Sequence, residues 1–335
     1  MVTTPSSPAH PPVRLTVAIP TRDRPDLLER AVASVVRGPN GGVPPPEVSE
    51  RIEVVVCDNA SDESDEGAAV TADRLLGGWP GPTRYVRHRP SIGMVENFNS
   101  CVSAAGGDYV LVLHDDDYLL PGGAAAILRA IETPRPAEVL LFGVAVVDLE
   151  GRVRRRQTVR ATHDLPPEDA LRAVLTNSSL VRFPGMVVRR AAYDEVGPFD
   201  PSVGGPTDFD MWVRLFSRFG VRRVASTAAA YTVHPGAATT RTFNAETIAV
   251  LMKIFERARG SKVLDDATIR TSQTAFFHQF ILGGVYRSLR GGDRAAARRT
   301  LDLFQLPAVA ALGRSARWSP VRSAMMAATL GARPA

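Results

Sequence analysis

Behind the apolar run Tyr109-Val110-Leu111-Val112-Leu113, four residues follow in succession: His114, Asp115, Asp116 and Asp117. Three adjacent carboxylates repel one another and stay ionised together only beside a cation or a strong set of donors. Hard divalent ions such as Mg²⁺ or Mn²⁺ prefer such ligands and keep open positions for phosphate oxygens. The chemistry on offer is a metal site that anchors a diphosphate, against the plainer reading of a solvated acidic turn. The chain turns apolar again at Tyr118-Leu119-Leu120-Pro121, so the run is a tight turn inside a folded core rather than a tail. Four further places could do chemistry. Thr21 and Asp23 follow one apolar run, and Asp58 ends another. Asp208 and Asp210 open an amphipathic segment, and His234 precedes Pro235. Each has an ordinary alternative, since Asp and Thr favour helix starts and a His before Pro suits a surface turn.

These residues need elements to position them. Val13–Pro20 and Ile52–Cys57 are short runs rich in β-branched residues and read as buried parallel strands. After the first, Pro25 sits where a helix begins. Leu27, Leu28, Ala31, Val32, Val35 and Val36 then fall on one helical face. Residues 38–46 are a Gly/Pro-rich loop. A helix is expected from about residue 65, a strand at Thr83–Arg87, a helix over Val95–Ala104 and a strand over Glu138–Val147. Strands alternating with helices at this spacing imply an α/β fold, a parallel sheet with helices on both faces. Ligands of such sheets bind outside the carboxyl ends of the strands, where Asp58 and Asp115–Asp117 fall. No G-x-G-x-x-G follows the first strand, which disfavours a dinucleotide fold. The cluster Arg152–Arg156 reads as an exposed hairpin face. Beyond residue 245 the pattern is helical, and 245–335 is expected to be a C-terminal helical region.

Composition narrows the class. The chain has 335 residues, 44% hydrophobic and 22% charged, as ordinary globular proteins do. The net charge of +5 is carried by Arg rather than Lys. Its basic residues are scattered and lack interleaved aromatics, so nucleic acid is not an expected partner. Two cysteines, Cys57 and Cys101, fit neither a disulfide framework nor a zinc site and suit a reducing cytoplasm. Residues 1–12 read as a disordered leader rather than a signal peptide, and no stretch is long and apolar enough to span a membrane. Two uses are open for the Arg-rich end at 294–330. Packing against the main domain or a dimer partner is favoured over a peripheral contact with an anionic membrane.

Five segments together resemble the family 2 glycosyltransferases of GT-A fold: AIPTRDRPDLLERAVASV, VVVCDNASDE, SIGMVENFNSCVSAAGGDYVLVLHDDDYLLP, RRAAYDEVGPFDPS and PTDFDMWVRL. They occur in the family's order across residues 13–240. The resemblance implies a Rossmann-like, mostly parallel GT-A domain over 13–240 that transfers a sugar, with inversion, from a nucleoside-diphosphate sugar of UDP or dTDP type to an acceptor hydroxyl. It implies a donor pocket of Pro20, Thr21, Asp23, Asp58, Asp115 and Arg241. The acidic turn takes the place of the DXD motif, with Asp116 as the first metal ligand for Mg²⁺ or Mn²⁺ and Asp117 and His234 as further ligands. Asp115 would face the ribose or share the metal. Asp208 stands where the family places its general base, with Asp210 as the less favoured choice. Phe183 and Gly185-Met186 resemble the border of the acceptor pocket. Three positions depart from the pattern: His114 for Asp, Thr207 for Glu and Ser91 for Asn. Two rivals are weighed beside this reading. A nucleotidyltransferase would want a Gly-rich, basic phosphate loop after the first strand, where only Arg22 and Arg24 are available. A catalytically inactive nucleotide-sugar-binding or scaffold protein has no need of Asp58, Asp115–Asp117 and Asp208 together.

Overall fold

A computed structural model of the chain describes residues 12–38, 40–61, 67–177, 179–234 and 242–330. In chain order the strands are β1 (Leu15–Thr21), β2 (Ile52–Asp58), β3 (Thr83–Arg87), β4 (Tyr109–Val112), β5 (Tyr118–Leu119), β6 (Val139–Val147), β7 (Val153–Gln157), β8 (His163–Leu165), β9 (Met186–Arg189) and β10 (Val221–Thr232). The helices are α1 (Pro25–Val36), α2 (Pro46–Ser49), α3 (Gly67–Leu76), α4 (Met94–Ala104), α5 (Gly123–Ile131), α6 (Pro167–Thr176), α7 (Arg190–Val196) and α8 (Thr207–Phe219). They continue with α9 (Ala245–Gly260), α10 (Asp266–Arg290), α11 (Arg294–Asp302), α12 (Pro307–Ala310) and α13 (Ser319–Leu330).

The strands form one mixed sheet in the order β3-β2-β1-β4-β9-β6-β10-β5, with β7 paired to β6 and β8 to β10. β3, β2, β1 and β4 are mutually parallel; β9 runs against both β4 and β6; β10 runs with β6. It follows that six strands share one direction and bring their carboxyl ends to the same edge, while β5, β7 and β9 oppose them. The expected parallel character holds in the direction of these strands. The antiparallel insertions lie in short strands such as β5 and β9, which carry little periodic signal of their own.

Alternation along the strands assigns the two faces. Leu15, Val17, Ile19, Val54, Val56 and Leu111 share a core with Leu28, Val32 and Val35 of α1, Leu75 of α3 and Ile127 of α5. Each such side chain, fully buried, contributes about 1.5–3 kcal/mol. Cys57, one residue out of phase with Val56, points the other way. There the Ser100 hydroxyl of α4 lies 3.8 Å from its sulfur, and Asn97 Nδ2 donates to the Cys57 carbonyl at 3.0 Å. Helices therefore cover both faces. Gly123 follows the acidic turn because the chain there presses onto β10: a Cβ would lie 2.1 Å from the Ala228 carbonyl oxygen.

The described residues divide into two compact units. The first draws on Met1–Asp164, Arg182–Phe199 and Val221–His234, the second on Leu165–Val181, Asp200–Gly220 and Pro235–Ala335. The sheet and α1–α5 belong to the first. The second joins α6 and α8, both inside the stretch 13–240, to α9–α13. Within it Phe209 of α8 stacks on Phe276 of α10 at 4.7 Å, and Phe276 meets Phe255 of α9 at 5.3 Å. Phe209, Trp212, Val213 and Phe216 are all buried, as the apolar spacing on α8 predicts. Arg152–Arg156 lie on the exposed β6–β7 hairpin. Among the described residues no helix is long and apolar enough to cross a membrane.

Candidate active site

Parallel register places the functional residues of β1, β2 and β4 side by side. Thr21 pairs with Asp58 and Pro20 with Cys57 at the strand ends, and Leu113 N donates to the Ala18 carbonyl at 2.9 Å. The acidic run therefore begins beside Thr21. The Thr21 hydroxyl donates to Asp115 Oδ2 at 2.9 Å, and Arg24 donates to Asp115 Oδ1 at 3.2 Å. Asp23 adopts a left-handed backbone (φ +53°), and its N–H donates to the Ser61 hydroxyl at 3.0 Å, tying the β1–α1 turn to the end of β2.

Asp58 is fully buried. Its Oδ1 accepts from the N–H of Ser61 at 2.9 Å and from the Ser61 hydroxyl. Its Oδ2 accepts from the Tyr85 hydroxyl at 2.7 Å, and the Arg87 guanidinium lies 3.4 Å away. A carboxylate has about four acceptor positions, so these partners nearly saturate it. Asp58 is thus the centre of a closed network rather than an open acceptor. Burial and the bond to Asp58 push the Tyr85 hydroxyl above its ordinary range. Next to it, Asn59 Oδ1 accepts from Ile92 N at 2.8 Å and from Ser91 Oγ at 3.1 Å, while Arg22 reaches the Ser91 hydroxyl at 3.2 Å. The serine at position 91 is therefore built into this edge.

The acidic turn is held from several sides. Asp117 N donates to the His114 carbonyl at 3.0 Å, closing the turn, and Thr232 N of β10 donates to Asp117 Oδ1 at 2.7 Å. His234 Nε2 lies 3.0 Å from Asp116 Oδ2. Arg30 of α1 donates to the Asp116 carbonyl at 2.6 Å, to Thr232 Oγ1 at 3.2 Å and to the Leu149 carbonyl at 3.1 Å, its guanidinium over the Tyr118 ring. Electrostatics match the crowding. Burial, opposed by Arg24 and reinforced by Asp116, raises the Asp115 carboxyl to about 6. Burial, then the Asp116 charge, pushes Asp117 well above the ordinary carboxylate range.

The residues present fit a divalent cation. His114, Asp116 and Asp117 each bring a ligand atom within 4.8 Å of the others. His114 Nε2 and Asp117 Oδ2 are buried with no hydrogen-bond partner. The His114 ring is stacked on Phe98 at 5.1 Å and tilted against Phe183 at 4.4 Å, and burial lowers its pKa.

The structure thus brings together Pro20, Thr21, Asp23, Asp58, Asp115, Asp116, Asp117 and His234. Arg241 lies outside the described residues. Asp208 occupies the first turn of α8 in the second unit, its Oδ1 accepting from the Phe209 N–H at 2.6 Å. Asp210, fully buried, is bound by Arg214 at 2.9 Å and by Arg257, so it is a core ion pair. Sequence reasoning missed Tyr85 and Arg87, although their i, i+2 spacing on β3 puts both on one face beside Asp58. It also missed the roles of Arg24, Arg30 and Thr232, for which no local signal exists.

Comparison with known proteins gives consistent matches. The model of the family described as Glycosyl transferase family 2 matches residues 16–197. An uncharacterized protein of Mycobacterium tuberculosis is 29% identical over 224 residues, 64% of this chain and 65% of the relative. The uncharacterized glycosyltransferase YwdF of Bacillus subtilis is 27% identical over 45% of this chain and 54% of its own length. A pre-mycofactocin glycosyltransferase of Mycobacterium tuberculosis is 28% identical over 63% of this chain and 40% of its own. The chain therefore spans less than two thirds of the length of these relatives. Among solved structures, S. aureus TarS 1–349 in complex with UDP-GlcNAc superposes with a TM-score of 0.63 at 15% identity, covering 95% of this chain and 88% of that one. The mannosyltransferase PcManGT of Pyrobaculum calidifontis, in complex with GDP-Man and Mn²⁺, superposes with a TM-score of 0.55 at 17% identity, over 95% and 86%. At these identities the likeness is one of fold.

Proposed function

The chain belongs to glycosyl transferase family 2, and from that membership we propose that it transfers a sugar, with inversion, from a nucleoside-diphosphate sugar to an acceptor hydroxyl, aided by Mg²⁺ or Mn²⁺. The observation that carries the reading is the buried acidic turn at the carboxyl end of β4. Its Asp115 and Asp117 carboxyls are both shifted upward, and Asp117 Oδ2 lacks a partner. Such a turn suits a cation and the diphosphate oxygens that cation would bind.

Asp116 and Asp117 are the proposed ligands, with His234 against Asp116. A bound divalent ion would offset the charge gathering on the nucleoside diphosphate as it leaves. The chain's own residues do the rest. Thr21 and Arg24 aim Asp115; the Thr232 N–H and Arg30 hold the turn; Pro20, Asp23 and the Asp58 network border the nucleoside. Arg241 is assigned to the diphosphate on the family pattern alone. Asp208 takes the proton from the acceptor hydroxyl as its oxygen attacks the anomeric carbon and the bond to the diphosphate oxygen breaks. Such a base contributes about 10²–10⁴ in rate. Attack opposite the leaving group inverts the centre.

Calorimetric titration with UDP, dTDP and GDP, with and without Mn²⁺, tests the reading. Metal-dependent binding that disappears in Asp116→Ala is expected. A chain that binds no nucleoside diphosphate under either condition overturns it.

A further inference from the structure

We propose that His114 is itself a metal ligand, making the cation site of this chain a mixed nitrogen–oxygen site that selects a borderline divalent ion such as Mn²⁺ over Mg²⁺. The inference rests on the metal-dependent reading above and concerns only the position where His replaces the family's Asp. Three observations carry it. A ring nitrogen of His114 and carboxylate oxygens of Asp116 and Asp117 lie within 4.8 Å of one another. Donors that share one ion at bonds of about 2.1 Å are at most about 4.2 Å apart, so a closure of roughly half an ångström completes the group. His114 Nε2 is buried without a partner, and so is Oδ2 of Asp117, a residue only 1% exposed.

The ring's surroundings sharpen the case. Packing against Phe98 and Phe183 accounts for a flat side chain at position 114, but a phenylalanine would pack equally well and would bury no unsatisfied nitrogen. A polar nitrogen kept there at the edge of three carboxylates has a use only when something accepts its lone pair or its proton. Among the described residues the two other members of the group supply oxygens, the complementary ligands of such a cation. The aromatic walls restrict the ring's rotation, as neighbouring groups do for ligating histidines generally. Imidazole favours transition ions, whereas Mg²⁺ demands a nearly ideal octahedron of oxygens and sheds its waters reluctantly. Replacing Asp by His at this position therefore shifts preference away from Mg²⁺.

The test uses the full chain and the metal ions alone. Free-Mn²⁺ EPR titrations, with Mg²⁺ as competitor, give both affinities, and pulsed EPR detects nitrogen bound to Mn²⁺. Wild type, His114→Phe, His114→Gln, His234→Asn and the double variant His114→Gln, His234→Asn are compared. A histidine nitrogen coupling should persist in His234→Asn, disappear in the double variant, and be weaker or absent in both His114 variants. Mn²⁺ affinity should fall at least about tenfold in those variants, as loss of a ligand demands, while Mg²⁺ affinity moves less than about threefold. The Gln variant decides the matter should the Phe variant not fold. Mn²⁺ bound to His234→Asn without nitrogen coupling, coupling that survives in the double variant, or equal losses for both ions would overturn the assignment and leave the metal-dependent reading standing. A wild type that takes up neither ion refutes both.

Discussion

The Asp115 carboxyl gives a prediction whose size can be worked from the structure. Burial raises it from the ordinary 3.8 to about 6, despite the opposing bonds from Thr21 and Arg24. At about 1.4 kcal/mol per unit, the two-unit shift amounts to about 3 kcal/mol. Because the folded value lies above the unfolded one, the contribution favours the fold fully below pH 3.8 and is lost as pH rises through 6. About 2 of those 3 kcal/mol disappear between pH 4.5 and 7.5. The assay is urea unfolding of metal-free protein at several pH values, wild type against Asp115→Asn. The amide keeps the neutral shape, accepting from Arg24 and donating to the Thr21 oxygen. The variant should match wild type at pH 4.5 and exceed it at pH 7.5 by about 2 kcal/mol. Mn²⁺, whose proposed carboxylate ligands Asp116 and Asp117 bind it ionised, should stabilise wild type more at pH 7.5 than at 4.5. An Asn variant that is less stable than metal-free wild type at pH 7.5, or that shares its full pH dependence, would refute the burial argument.

Three further outcomes are expected. Asp210→Ala leaves Arg214 and Arg257 facing a fully buried gap and should cost about 3 kcal/mol in denaturant unfolding, the lower end for a broken buried pair because Arg257 is partly exposed. Tyr85→Phe removes the hydroxyl donor to Asp58 Oδ2 and should cost about 1–3 kcal/mol, with weaker nucleotide binding by calorimetry; unchanged stability would contradict the closed Asp58 network. Asp208→Asn should unfold as wild type does and bind donor normally, yet lose at least about 100-fold in turnover; full turnover removes the base assignment.

The parts of the fold legible in the sequence are those whose physics is local. β1 and β2 announce themselves because strands buried on both faces need continuous β-branched runs, and α1 because its apolar residues recur at helical spacing. Parallel order then carries Asp58 to Thr21. The paired strands β5 and β9 are too short for periodicity, since their positions follow from edges left by other strands. The grouping of α6 and α8 with the C-terminal helices was likewise hidden. It depends on contacts such as Phe209 with Phe276, whose partners are far apart in the chain.

The site divides along the same line, and the division bears on the two first readings of the acidic run. A solvated acidic turn would expose its carboxylates and leave their pKa values ordinary. Instead Asp115 is 5% and Asp117 1% exposed, and burial has shifted both upward. Nor is the turn a self-contained cluster of internal bonds. Arg24, Arg30, Thr232 and His234 fix its backbone and outer oxygens from two separate segments, the start of α1 and the end of β10, while Asp117 Oδ2 and His114 Nε2 remain unmatched. A fold that satisfies every flank of a turn and leaves a buried oxygen and nitrogen at its centre suits the cation proposed above. The residue types could suggest that cation, but the convergence of distant segments on the turn cannot be read from them.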